Sequence, residues 1–170
     1  SDIIENNLRS LWLIATTLIV FGVILGLADT YGKRERTLDQ LSSRHGIMYG
    51  LAQALALMPG VSRSGATIAM GRFLGYKREA ALRYSFLLAL PAVFGSGFYQ
   101  LQGAVSSTES NVFSLAETAV ATGIAFVVGY LVIAWLLKFV STKSFMPFII
   151  YRIALGTLLL ILLGTGVISA

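Results

Sequence analysis

The run Pro59-Gly60-Val61-Ser62-Arg63-Ser64-Gly65-Ala66-Thr67 places one arginine, two serines and a threonine between two apolar stretches, 51–58 and 68–74. A charge in lipid-compatible surroundings is unfavourable by about 2.5–3.5 kcal/mol or more, so it normally has a partner. For Arg63 that partner is either a protein carboxylate or an anionic ligand, and the local pattern favours the ligand. Arginine places two parallel charged hydrogen bonds on a phosphate. Ser62, Ser64 and Thr67 offer hydroxyl donors, and the first N–H groups of a helix opening after the turn add partial positive charge. Pro59 and Gly60 stop the preceding helix so that such a turn can form. Ser64 is the expected N-cap, with a short second helix over residues 65–75. The bland alternative is a structural helix break whose arginine meets a headgroup or an acid.

The elements that must hold this turn have the composition of a membrane protein. Of 170 residues, 56% are hydrophobic and 12% charged, against about 45–50% and about 25% in soluble domains. The absence of cysteine excludes disulfides and thiolate metal sites. A single histidine, His45, excludes a His-pair zinc motif, and with no suitable acid it leaves no Ser-His-Asp arrangement. The net charge of +5 is small and forms no basic-aromatic stripe, so nucleic acid is not an expected partner. Residues 1–10 contain Asp2 and Glu5 and do not read as a cleavable signal. The chain begins at Ser1, not Met, and is expected to be trimmed or to be the later part of a longer protein.

Hydropathy predicts transmembrane spans over about 11–28, 80–101, 112–139 and 147–168. The 80–101 span is expected to be interrupted at Pro91 and Gly95-Ser96-Gly97, and 103–111 is a polar turn. The segment 46–75 is apolar but broken at Pro59-Gly60, and it reads as a re-entrant helical hairpin. Charge supports this independently. Lys33, Arg34, Arg36 and Arg44 precede the hairpin, Arg72, Lys77 and Arg78 follow it, and Lys138 and Lys143 lie in a later loop. If the hairpin returns to its own side, all three basic groups are cytoplasmic; if it crosses, they are split.

The core Leu57-Met58-Pro59-Gly60-Val61-Ser62-Arg63-Ser64-Gly65-Ala66-Thr67-Ile68 closely resembles the motif of the bacterial undecaprenyl-pyrophosphate phosphatases, the bacitracin-resistance family. Gly50 and Gln53 before it, Arg83-Tyr84-Ser85-Phe86-Leu87-Leu88-Ala89-Leu90-Pro91, Phe145-Met146-Pro147-Phe148 and Tyr151-Arg152 extend the likeness over most of the chain. The resemblance implies an all-α polytopic protein of the bacterial inner membrane, one half of an inverted-repeat architecture with a re-entrant hairpin. The implied activity is hydrolysis of undecaprenyl diphosphate to the monophosphate carrier lipid for cell-wall synthesis, with Mg²⁺ or Ca²⁺ as cofactor. Carried over by position, Arg63 and Ser62 are the candidate catalytic residues, and Ser64, Gly65 and Thr67 bind the diphosphate. The family's earlier hairpin, with its glutamates and Ser-Gly-His, has no match here. The N-terminal repeat, which would supply the nucleophile or base and most metal ligands, is therefore expected to be missing. Membrane lipids are the other implied partners, and oligomeric state stays open, a homodimer included.

The remaining polar residues have blander readings. Gln53 reads first as a hydrogen bond holding the hairpin together, and second as a contact to metal-bound water. Arg83 snorkels at its span end or makes a second phosphate contact. Glu117 reads as solvated near the outer turn, Arg152 is undecided, and His45 reads as solvated. Trp12 and Tyr99 fit an outer aromatic belt and Trp135 an inner one. Gly123, Gly129 and Gly156 read as packing seams. The rival functions are a transporter or flippase that binds the same anion without hydrolysis, and a catalytically silent scaffold.

Overall fold

A computed structural model describes residues 11–106 and 115–168. Six α-helices account for most of it: α1 Leu11–Tyr31, α2 Ser43–Ala54, α3 Arg63–Phe73, α4 Arg78–Ser106, α5 Leu115–Thr142 and α6 Met146–Gly164, with single 3-10 turns at Leu38–Gln40 and Leu55–Leu57. The described residues contain no strand, only one isolated bridge between Arg36 and Tyr76. Helices α1, α4, α5 and α6 are each long and apolar enough to cross a membrane. The protein is an all-α polytopic membrane protein.

The second span differs most from the sequence reading. Helix α4 is continuous through Pro91 and Gly95 and carries on to Ser106, into the region read as a polar turn. Proline removes a single helical hydrogen bond, and a long apolar helix can absorb that loss. Residues 107–114, which hold the rest of that turn and the start of the third span, lie outside the described residues.

Helices α2 and α3, of 12 and 11 residues, form an antiparallel hairpin. Each rises only about 16–18 Å, too short for a hydrocarbon core of about 30 Å. They approach closely because Gly71 has no side chain: a Cβ there would overlap the Tyr49 hydroxyl. The hairpin's exit lies beside the loop that leads into it. Glu35 and Arg36 N–H groups donate to the Gly75 carbonyl, Lys77 N–H donates to Arg36 O, and Arg36 Nη1 donates to Leu74 O. Arg34, Lys77 and Arg78 also share one groove with Ser141 and Thr142. All three basic segments therefore meet at one end of the bundle.

His45 is not the solvated residue expected. Its Nε2 lies 3.1 Å from Arg36 Nη1 and its Nδ1 2.8 Å from the Tyr76 hydroxyl. Arginine only donates, so Nε2 accepts and Nδ1–H donates to Tyr76. Burial raises the Tyr76 pKa above its usual range, so its O–H remains a donor, here to Gln40 O.

The core lies at this basic end, around Leu25, Tyr49, Ile68, Tyr76, Leu82, Val140, Phe145 and Ile149. A buried ion cluster ties it together. Asp29, 2% exposed, takes two hydrogen bonds from Arg78 at 2.6 and 2.8 Å and one from the Phe145 N–H. Arg72, fully buried, has Nε 3.3 Å from Asp29 Oδ1 and donates to the carbonyls of Asp29, Gly32, Lys33 and Tyr76. Of the glycines read as seams, Gly156 lies against Ala15 and Ile19 of α1, whereas Gly123 and Gly129 face nothing.

Candidate anion site

The tip of the hairpin is a tight turn. Val61 N–H donates to Met58 O at 3.2 Å, with Pro59 and Gly60 between them and Gly60 at φ +83°. Proline followed by a left-handed glycine is the pattern of a type II turn. The turn is pinned to α1, where Thr17 Oγ1 donates to Pro59 O at 2.9 Å, and a Cβ on Gly60 would overlap that threonine. Thr17 lies about four helical turns, or about 21 Å, along α1 from Tyr31 at the basic end.

The chain then opens α3, capped two residues earlier than the sequence suggested. Ser62 is extended (φ −69°, ψ 124°) and its Oγ accepts from Gly65 N–H at 3.1 Å. Ser64, the expected cap, sits inside the first turn, its Oγ 3.3 Å from Ser62 Oγ. Arg63 and Ser64 N–H groups are left without intrahelical acceptors, at the positive end of the helix dipole.

A cavity of about 380 Å³ adjoins this turn. Its polar lining is Ser62, Ser64, Gly65, Tyr151 and Arg152, and apolar residues of α4, α5 and α6, with Leu25 of α1 and Ile68 of α3, form its walls. Arg152 reaches across from α6 to donate from Nη2 to Gly60 O at 3.1 Å. Its buried Nε has no hydrogen-bond partner. Arg63 is exposed on the neighbouring face of the same helical turn and does not line the cavity. Among the described residues no carboxylate pairs with either arginine: the ion pairs join Asp29 to Arg72 and Arg78, and Glu79 to Arg83. Among the described residues the arrangement is a positive site without a paired carboxylate, suited to an anion with several oxygens.

The family model for bacitracin resistance protein BacA matches residues 1–158. The chain belongs to the BacA family. It is 63% identical over 170 residues to an undecaprenyl-diphosphatase of Pseudarthrobacter chlorophenolicus, covering 99% of this chain and 61% of that protein. It is 62% identical to one of Renibacterium salmoninarum (98% and 60% covered) and 57% identical to one of Micrococcus luteus (99% and 61%). The chain thus spans about 60% of the length of these curated relatives.

Within this BacA-family chain the other sequence-predicted residues are placed differently. Thr67 is fully buried; its Oγ1 contacts Ser85 Oγ of α4 and the carbonyls of Arg63 and Ser64. It cannot reach the cavity, because an inward-facing helical position is spent on packing against α4. Arg83 is also absent from the cavity. Leu82 and Phe86, one turn apart on α4, line it, and Arg83 is rotated off that face to an exposed position 3.8 Å from Glu79. Gln53 Oε1 is buried with no hydrogen-bond partner, so that atom does not make the interhelical bond first expected of the residue. Arg152, left undecided from sequence, is the cation that lines the cavity; the signals for it were its place early in an apolar span and in the Tyr151-Arg152 pair of the family likeness. His45 lies at the far end of the hairpin from Ser62, so neither serine has it as a base.

Proposed function

We propose that this chain supplies the diphosphate-binding part of a polyprenyl-diphosphate phosphatase, with undecaprenyl diphosphate as substrate. The observation that carries the reading is a pair of arginines, Arg63 and Arg152, with no carboxylate partner among the described residues, beside the N-terminus of α3 in a membrane chain. The names of the relatives agree with it. In the reaction, water forms a bond to the terminal phosphorus, the bridging P–O bond breaks, and the prenyl monophosphate leaves with the bridging oxygen. Arg63 and Arg152 neutralise the spreading charge, while the hydroxyls of Ser62 and Ser64 and the free N–H groups of α3 orient the phosphate oxygens. Thr67 acts through Ser85, holding the first turn of α3 in place.

The hairpin is read as re-entrant in the bacterial cytoplasmic membrane, its basic ends on the cytoplasmic side and its tip deep in the bilayer. Mg²⁺ or Ca²⁺ finds no fitting ligand set here: among the described residues no three His, Asp or Glu side chains converge, and buried Asp29 is taken by two arginines. No step is therefore assigned to a metal on this chain's residues.

Phosphate release from undecaprenyl diphosphate by the full-length protein tests the reading. Arg63→Ala is expected to lower kcat about 100-fold or more, the scale of removing a charge-stabilising donor. Arg63→Lys should fall between it and the unmodified protein, because lysine keeps the charge but loses the bidentate fork. Near-normal turnover of Arg63→Ala would overturn the assignment.

A further inference from the structure

The basic end of the bundle has a concave site of its own. A groove of about 310 Å³ lies where the start of α4, the end of α5 and the loop after α1 come together, and it shares no residue with the cavity at the hairpin tip. Arg34, Lys77 and Arg78 line it, with Glu79 as its one acid. Arg78 gives Nε and Nη2 to Asp29, which fixes the guanidinium and leaves Nη1 without a hydrogen bond among the described residues. Arg34 and Lys77 are exposed and form no ion pair among the described residues. Glu79 is drawn toward Arg83, at 3.8 Å, and Asp39 lines a neighbouring cleft that shares Lys77 with the groove. On the facing wall, Ser141 and Thr142 donate to the carbonyls of Lys138 and Phe139. Two free carbonyls at the end of α5 are thereby covered, which trims the negative charge of that helix end. The groove keeps a positive excess.

We infer that this groove binds the headgroup of an anionic phospholipid from the leaflet at the basic end, with Arg34, Lys77 and Arg78 on its phosphodiester. Helix α5 sets the height. Exposed Trp135 fits the aromatic belt at headgroup level, and Ser141 lies about 9 Å further along the helix. On the other side of Trp135 the exposed face of α5 is aliphatic, as at Val128 and Leu131. A phosphate in the groove therefore sits where a lipid carries one, beside a helix face along which acyl chains can lie. The volume is at the small end of ligand pockets, enough for a headgroup and not for the chains. A zwitterionic lipid would bring a cation into a groove that already holds three. Basic pockets between helices on the cytoplasmic side are established places for anionic headgroups. Bound there, the lipid ties the loop after α1 to the ends of α4 and α5.

The experiment titrates the full-length protein in detergent with phosphatidylglycerol or phosphatidylcholine and reads bound lipid by native mass spectrometry. The unmodified protein should retain phosphatidylglycerol in preference to phosphatidylcholine. Arg34→Gln and Lys77→Gln, both at exposed positions, should each weaken phosphatidylglycerol binding about fivefold, the worth of one basic residue near an anionic surface. Thr142→Glu leaves both cations in place and puts a carboxylate at the groove, and it should weaken binding to a similar degree. Lys138→Gln with Lys143→Gln removes two exposed charges at the same end that do not line the groove, and it should change binding little. Thermal unfolding gives a second readout: phosphatidylglycerol should raise the unfolding temperature of the unmodified protein, and the rise should be absent from the Arg34→Gln, Lys77→Gln pair. Equal retention of the two lipids, or equal loss from the Lys138 and Lys143 changes, overturns the groove as a site and leaves only diffuse surface charge. Inorganic phosphate should displace no more lipid than sodium chloride of the same ionic strength. Displacement beyond that makes the groove a free-phosphate site and overturns the lipid as its occupant.

Discussion

Arg63 and Arg152 carry the same charge to the same turn but are built in differently, and variants should separate them. Arg152 donates to the Gly60 carbonyl and fills part of the cavity wall. The Arg63 side chain is exposed and makes no hydrogen bond or ion pair among the described residues. Removing Arg63 should therefore affect turnover alone. Removing Arg152 should affect both turnover and folding, since it leaves a part-buried carbonyl without its donor, a loss of about 1 kcal/mol. Thermal unfolding in detergent of Arg152→Ala is expected to show that drop, with Arg63→Ala unchanged, while both lose phosphate release. Equal stability of the two variants would contradict the contact. The pairing was not legible in the sequence, because the donor and acceptor are 92 positions apart. The motif itself was legible because its residues are contiguous and each has a local reason to be there. The buried state of Thr67 and the outward turn of Arg83 depend on how α3 and α4 pack, which spacing alone does not give.

At the scale of the elements, the Asp29 cluster joins the end of α1, the end of α3, the start of α4 and the residue before α6. The hairpin is thereby clamped at its basic end, as the Thr17–Pro59 bond clamps it at its tip. Sequence reasoning took Arg72 and Arg78 as loop charges facing the cytoplasm. They are instead bound to a buried acid, because the last turn of α3 is packed under the loop at 33–37. The basic segments that charge counting grouped still gather at one end of the bundle, and membrane orientation depends on where basic residues sit and not on what they pair with. Asp29→Asn keeps the shape but leaves two arginine charges without their counter-ion. Breaking a buried pair in this way is destabilising by about 3–5 kcal/mol. The expected result is a lower unfolding temperature and a smaller folded fraction in detergent. The folded remainder should keep an unchanged KM, because Asp29 does not line the cavity. A shift in KM without loss of stability would move Asp29 from the scaffold into the site.

The surface of the whole molecule fits lipid better than water. Large apolar side chains are exposed along the outer half of α4, as at Phe94, Phe98 and Leu101, and along α5 from Val120 to Trp135. Contiguous apolar patches of this extent are rare on soluble monomers and normal for helices facing hydrocarbon. The four long helices were legible from length and hydropathy alone, and the hairpin from its brevity and its Pro-Gly break. How the hairpin sits in the membrane rests on its two ends lying side by side. These 170 residues contain no cysteine, so a thiol introduced among them is the one reactive position in this part of the protein. Ser43 precedes the hairpin, Lys77 follows it and Ser141 ends α5, and all three are exposed. With Ser43→Cys, Lys77→Cys and Ser141→Cys, a membrane-impermeant thiol reagent should modify all three in inside-out vesicles and none in intact spheroplasts. A hairpin that crossed the bilayer would put Lys77→Cys on the side opposite Ser43→Cys. That split would place the Ser62–Arg63–Ser64 turn in an ordinary loop between two spans. The charge would then have a wet exit, and its expense in lipid would no longer argue for a bound anion.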